Sequence, residues 1–321
     1  MIRTALIAAI AATFLGWFAA PMARADELRI ATQPIPLYAP IFVAEHKQWL
    51  RDEIAGTGAP EVKWASFAAG PPINESFAAG QQDIGFLGDT PALIGRAAGI
   101  DTRIVGISAA GPTALAVVVA ANSPIRTAAD LKGKKVGVTK GSYAHHLLAL
   151  VLGTAGLKLS DVQQINLPNA DVAATLVAGD IDAGAVWEPV LSKFEQQGSI
   201  RVLADGTGIK QGVLVIIASE DFIKRKPDQL RAVLRAYQRG AEFIRTNPQE
   251  AARLISADVK LPPDLLEHVF TKLDYALPVT DARVREIKAT ETFMRSIGLI
   301  KVSVDVDAFV QRGFEPAHAA K

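Results

Sequence analysis

Short apolar runs alternate with amphipathic stretches through the first two thirds of the chain. Runs at 28–31, 62–67, 83–87, 103–108, 115–121, 135–139, 163–167 and 182–186 have the length and β-branched content of strands. Between them, residues 38–50, 72–79, 90–98, 142–155, 170–178 and 188–196 carry helical spacing. Strands separated by helices predict mostly parallel sheets flanked by helices on both faces. Gly80, Gly99, Gly156 and Gly179 follow helical runs, where a left-handed cap suits glycine. Beyond residue 218 the pattern turns helical and charge-rich, over 221–246, 248–257, 262–273 and 280–297. There Leu230, Val233, Leu234, Tyr237, Ala241 and Ile244 mark a helix with one buried face. This tail is expected to pack back on the first lobe.

The pattern also echoes itself. Ala78-Ala79-Gly80-Gln81-Gln82-Asp83-Ile84-Gly85 closes a helix and opens a strand, and Ala178-Gly179-Asp180-Ile181-Asp182-Ala183-Gly184 does so again. Leu28-Arg29-Ile30-Ala31-Thr32 is likewise echoed by Lys135-Val136-Gly137-Val138-Thr139. Two similar α/β lobes follow from these echoes and from a length of 321 residues, roughly two domains' worth.

The N-terminus reads as an export signal over residues 1–25. Arg3 precedes an uncharged apolar run at 5–20, and Ala23-Arg24-Ala25 supplies a small-x-small cleavage pattern. The run is shorter than the roughly 20 residues needed to span a bilayer; an uncleaved anchor is the alternative. Cleavage after Ala25 frees residues 26–321 into a periplasm.

Composition excludes several classes. Lys+Arg at 34 against Asp+Glu at 33 gives none of the basic excess of a nucleic-acid binder. The absence of cysteine removes disulfide scaffolds, thiol nucleophiles and thiolate metal sites. His145 and His146 are adjacent, so on a helix they point about 100° apart and do not share an ion. No His-Glu-x-x-His pair, Gly-x-Ser-x-Gly elbow or phosphate loop is present. No catalytic residue, metal or cofactor is therefore assigned, and no heptad argues against a monomer.

Candidate ligand chemistry gathers at strand-to-helix junctions, where open α/β sheets bind ligands. They are the loop from Gln33 through Leu37 to Tyr38, then Gly70-Pro71, Gly88-Asp89-Thr90, Lys140-Gly141-Ser142-Tyr143 with His145 close behind, and Trp187-Glu188. First-turn N–H groups lack intrahelical partners, so helix N-termini meeting at one cleft hold an anion. Gly70, Gly88, Thr90, Gly141 and Ser142 are the expected donors; Lys140 adds attraction; Tyr143 and Trp187 cover an organic tail. Ser142 and Thr90 can equally cap their own helices. Asp89 either caps its helix or meets a cationic group on a zwitterionic ligand. Repulsion between a carboxylate and an anionic head favours the cap.

These residues carry a resemblance. Phe67-Ala68-Ala69-Gly70-Pro71, Asp83-Ile84-Gly85-Phe86-Leu87-Gly88-Asp89-Thr90-Pro91, Ala120-Ala121-Asn122-Ser123-Pro124-Ile125, Asp130-Leu131-Lys132-Gly133-Lys134-Lys135-Val136, Lys140-Gly141-Ser142 with His145, Trp187-Glu188-Pro189 and Leu203-Ala204-Asp205-Gly206-Thr207 stand in a telling order. The chain resembles periplasmic substrate-binding proteins of ABC importers, in the aliphatic-sulfonate, taurine and nitrate branch, and is most similar to the sulfonate binders. The resemblance implies a two-lobe type II periplasmic-binding-protein fold with two hinge crossings, at Gly111 and Gly212. Lobe 1 is then 26–111 plus 212–321 and lobe 2 is 112–211. It also implies capture of a small organic sulfonate for sulfur uptake, and docking on a membrane permease with its ATPase. Tyr143-Ala144 stands where simple alkanesulfonate binders are expected to have small hydroxyl residues, which favours a larger or aromatic tail over nitrate. The rival readings are the same module for nitrate, bicarbonate, a sulfate ester or a heterocycle; an exported enzyme with Glu188 or His145 as base; and a ligand-free partner-binding protein.

Overall fold

The computed structural model of the protein describes residues 27–58 and 61–316. The leader expected over residues 1–25 lies outside them. The chain begins β1 (Leu28–Thr32), a tight turn at Pro36–Tyr38, α1 (Ala39–His46), α2 (Trp49–Ala55), β2 (Val62–Ser66), α3 (Gly70–Ala78), β3 (Ile84–Gly88), α4 (Asp89–Ala97) and β4 (Thr102–Ala110). After a crossing come β5 (Leu115–Ala120), β6 (Lys135–Val138), α5 (Tyr143–Thr154), β7 (Gln163–Asn166), α6 (Asn169–Ala178), β8 (Ala183–Trp187), α7 (Val190–Gln196) and β9 (Ile200–Asp205). The chain then crosses back into β10 (Val213–Ser219) and finishes with α8 (Glu220–Arg225), α9 (Pro227–Thr246), α10 (Pro248–Val259), α11 (Pro263–Phe270), α12 (Asp281–Ser296) and α13 (Val306–Phe309).

Two five-stranded sheets result, in the orders β2-β1-β3-β10-β4 and β7-β6-β8-β5-β9. The orders are equivalent, and both sequence echoes fall on matched strands, β1 with β6 and β3 with β8. The sheets are mixed and, as expected, mostly parallel: in each, one strand runs against the other four. β1 pairs parallel with β2 and β3, whereas β10 pairs antiparallel with β3 and β4. β6 and β5 repeat that arrangement. In each sheet the reversed strand is the first one after a crossing: it enters from the gap toward which the parallel strands run. β9 and β10 escape the alternation rule because no helix separates them.

Two expected helices are split. The stretch 38–50 breaks at Gln48, a left-handed residue with φ 61°, and 221–246 breaks at Lys226, where the following Pro227 disfavours helical backbone. The core obeys strand alternation. Leu214, Ile216 and Ala218 of β10 join one apolar cluster with Leu230, Val233 and Tyr237 of α9. Val213, Val215 and Ile217 face the other side, with Ile287 and Met294 of α12. The helical tail thus covers both faces of the first sheet.

The tightest approach in this covering layer is α9 on α1. A Cβ added at Gly240 falls 2.0 Å from the Pro40 carbonyl oxygen. We expect Gly240→Ala to cost about 1–3 kcal/mol, as overpacking does, read as a lower urea midpoint at unchanged slope. Gly153→Ala in α5, with nothing within 4 Å of the new Cβ, is expected to be neutral or stabilising.

Candidate functional site

Three helix N-termini point at one narrow space between the sheets. Ala69 and Gly70 bring the start of α3, Gly88 and Pro91 that of α4, and Ser142 and Tyr143 that of α5. Gln33, Ile35, Leu37, Tyr38, Leu214 and Trp187 complete the wall. The space is about 20 Å³, room for roughly one water, so the lobes stand closed. A larger hollow of about 810 Å³ lies on the outer side of α9, α10 and α11. It draws on one lobe only, and no helix N-termini converge there.

Each junction is built by local chemistry. Gly70 opens α3 with Pro71 and Pro72 behind it, so its N–H is the one donor among the first three helical positions. A Cβ there falls 2.5 Å from the Pro91 ring, so only glycine lets α3 and α4 start side by side. Ser142 caps α5, its Oγ accepting from His145 N–H at 3.2 Å while its own hydrogen remains available. Tyr143 packs on Trp187 with ring centroids 5.7 Å apart. Asn169 grips the Trp187 backbone from both sides, accepting its N–H at 3.1 Å and donating to its carbonyl at 3.3 Å. Gln33 Nε2 donates to Tyr38 Oη at 3.2 Å and to the Phe86 carbonyl at 3.3 Å.

Several expected site residues lie behind the wall. Gly141 N–H donates to His145 Nδ1 at 3.2 Å, and His145 Nε2 reaches Gln164 Oε1 at 2.8 Å. That network makes Nδ1 the acceptor and Nε2 the protonated nitrogen. His145 is a loop brace, kept neutral chiefly by burial, and the Gly141 amide is already spent. Lys140 is exposed, and Pro71 sits inside the first turn of α3. Glu188 is fully buried: Oε1 accepts from Ser192 Oγ at 2.7 Å and from Lys272 Nζ at 2.8 Å, and Oε2 accepts from Ser192 N–H at 3.0 Å. It braces α7 and ties it across the gap to the other lobe.

Asp89 goes beyond both sequence readings. Its Oδ1 does accept the Thr90 N–H, at 2.7 Å, and the Thr90 hydroxyl, at 3.1 Å. Its Oδ2, however, pairs with Lys210 Nζ at 2.7 Å and accepts from Thr290 Oγ1 at 2.8 Å, all fully buried. Burial opposes ionisation, but the Lys210 ammonium and its hydrogen bonds hold the carboxyl below its ordinary value. Neither Asp89 nor Thr90 lines the cavity. Lys210, Thr290, Lys272 and Asn169 were invisible beforehand, because isolated polar residues show no spacing that predicts a partner. Leu214 was missed along with its strand.

The two crossings run side by side. Gly111 N–H donates to the Gln211 carbonyl at 3.1 Å, and Gly206 N–H to the Pro112 carbonyl at 2.7 Å. Gly212 has φ 62°, and a Cβ there falls 2.5 Å from the Gly111 oxygen. On the far side His146 of α5 stacks on Phe293 of α12 at 4.4 Å. Both His146 ring nitrogens are buried without a partner.

Residues 36–251 match the NMT1/THI5-like family. The chain belongs to that family. A protein of Escherichia coli K12 named for aliphatic sulfonate binding is 36% identical over 220 residues, 68% of this chain and 68% of its own. The alkanesulfonate-binding protein SsuA from Xanthomonas axonopodis pv. citri, solved bound to MOPS, matches with a TM-score of 0.81 at 28% identity, over 90% of this chain and 99% of that one. The periplasmic aliphatic sulphonate binding protein SsuA from Escherichia coli matches with a TM-score of 0.80 at 30% identity, over 89% and 97%. In this NMT1/THI5-like chain the family match contains every residue of the cavity wall except Gln33 and Ile35.

Two outcomes follow from the buried groups. Lys210→Met leaves the Asp89 charge unpaired and is expected to cost about 3–5 kcal/mol, with Asp89→Leu/Lys210→Met closer to wild type in chemical denaturation. Burial, and then the Lys210 ammonium, push the His146 pKa from 6.5 down to about 3. Below pH 6.5 the unfolded chain therefore takes up a proton that the folded chain refuses, and stability falls as pH falls. Urea titrations at pH 7 and pH 5 should show that His146→Phe removes roughly 1–2 kcal/mol of this loss.

Proposed function

We propose that the protein is the substrate-binding component of an ABC importer that captures a small organic sulfonate between its lobes. The observation that carries this is the meeting of three positive helix ends, from both lobes, on a wall without a charged side chain. A sulfonate is permanently ionised, so hydrogen-bond donors suffice and no proton need move. Gly70 and Ser142 face the head-group; Ile35, Leu37, Leu214 and Trp187 give the tail apolar cover. The names of the relatives reported above, each given for sulfonate binding, agree with this reading. Rotation about Gly111 and Gly212 opens the gap, since a space for one water admits no sulfonate, and divides the chain into lobes 26–111 plus 212–321 and 112–211. The closed, loaded monomer then docks on a membrane permease driven by its ATPase, in the periplasm, after removal of residues 1–25. No helix among the described residues is long and apolar enough to cross a membrane. An enzyme reading is disfavoured because Glu188 and His145, the two candidate bases, are both committed to structural partners.

Thermal melting with alkane-1-sulfonates, nitrate and sulfate separates this from other anion modules. At a hundredfold excess over the dissociation constant the sulfonates should stabilise by about 2.7 kcal/mol, with nitrate far weaker. Ser142→Ala should weaken sulfonate binding in isothermal titration. Stabilisation by nitrate alone would overturn the assignment.

A further inference from the structure

The cavity wall has no carboxylate, ammonium, guanidinium or imidazole, but it has two phenols. Tyr38 comes from the first lobe, on the Pro36–Tyr38 turn that Tyr275 Oη fastens by donating to the Pro36 carbonyl at 2.6 Å. Tyr143 comes from the second lobe, as the first residue of α5. Its side chain is buried, and its hydroxyl has no hydrogen-bond partner. An orphaned buried hydroxyl is unfavourable and calls for an explanation. Tyr38 Oη accepts from Gln33, while its own hydrogen has no acceptor among the described residues. The two phenols line the same small cavity. Burial pushes both phenols up, so each keeps its proton and acts as a donor.

We propose that Tyr38 and Tyr143 form a bracket, one phenol from each lobe, that donates to the oxygens of the bound sulfonate and restricts the site to sulfonates without an ammonium group. The proposal rests on the sulfonate reading above and goes further in naming the donors and the excluded class. A ligand oxyanion supplies the acceptor that Tyr143 lacks, and bridging the two hydroxyls favours the closed lobes. The excluded class follows from the carboxylates. Asp89 is enclosed with Lys210 and Thr290, and Glu188 with Ser192 and Lys272. An ammonium drawn into the gap would therefore be buried without a counter-charge.

Isothermal titration with ethane-1-sulfonate and taurine, which differ by that ammonium group, tests both halves on the mature chain. Tyr143→Phe keeps the ring and removes the hydroxyl. Its affinity for ethane-1-sulfonate should fall about tenfold or more, the range for a hydrogen bond to a charged group. Its ligand-free melting temperature should be unchanged or higher, which a purely structural hydroxyl would not allow. Wild type should bind taurine at least tenfold more weakly than ethane-1-sulfonate. Undiminished ethane-1-sulfonate binding by Tyr143→Phe overturns the bracket and leaves the sulfonate reading standing. Equal affinity for the two ligands overturns the selectivity. If wild type binds no sulfonate at all, the functional reading falls and the bracket falls with it.

Discussion

A carboxylate at the first turn of α4 would spoil the proposed anion site, and the ion pair of Asp89 with Lys210 is what neutralises it. Asp89 stands at the N-terminus of a helix whose positive end points at the cavity. Left alone, its charge would cancel that end and repel any oxyanion nearby. Lys210 reaches it from the segment that carries the chain back between lobes, with the ammonium 2.7 Å away and no water access to either group. The same contact fastens the crossing to α4 and, through Thr290, to α12. Site electrostatics and lobe connection therefore share one interaction.

The features legible in the sequence were those with a period or a local rule. Alternating elements, paired lobes and the strand-to-helix junctions at Gly70 and at Ser142-Tyr143 came from spacing and from the residues that open helices. The antiparallel strands β5 and β10 were not legible as such, because their direction is set by where the chain enters each lobe, which no local pattern encodes. Side-chain destinations were least legible. Glu188 and His145 had the chemistry of a site but were drawn behind it by Lys272, Ser192 and Gln164. These partners lie far away in sequence or carry no pattern of their own. Asp89 shows the same limit: the local cap was foreseeable, the distant lysine was not.

Contacts across the gap are of two kinds, placed differently. His146 on Phe293 is an apolar stack with no polar partner for the ring, so it depends on water exclusion. Lys272 instead joins Glu188 and Glu195 by charge, with Lys272 and Glu195 in partial contact with solvent. One contact weakens by wetting and the other by screening. Neither uses a residue of the cavity wall, so the closed form has adhesive contacts independent of whatever the cavity holds.

The neutrality of that wall has a consequence wherever the acidity of the medium varies. Nothing lining the chamber changes protonation until alkaline conditions strip a phenol, and a sulfonate itself never takes up a proton in water. Retention of such a cargo would thus be blind to the souring of the medium for as long as the fold survives it, leaving the stability of the scaffold to set the acid limit of uptake.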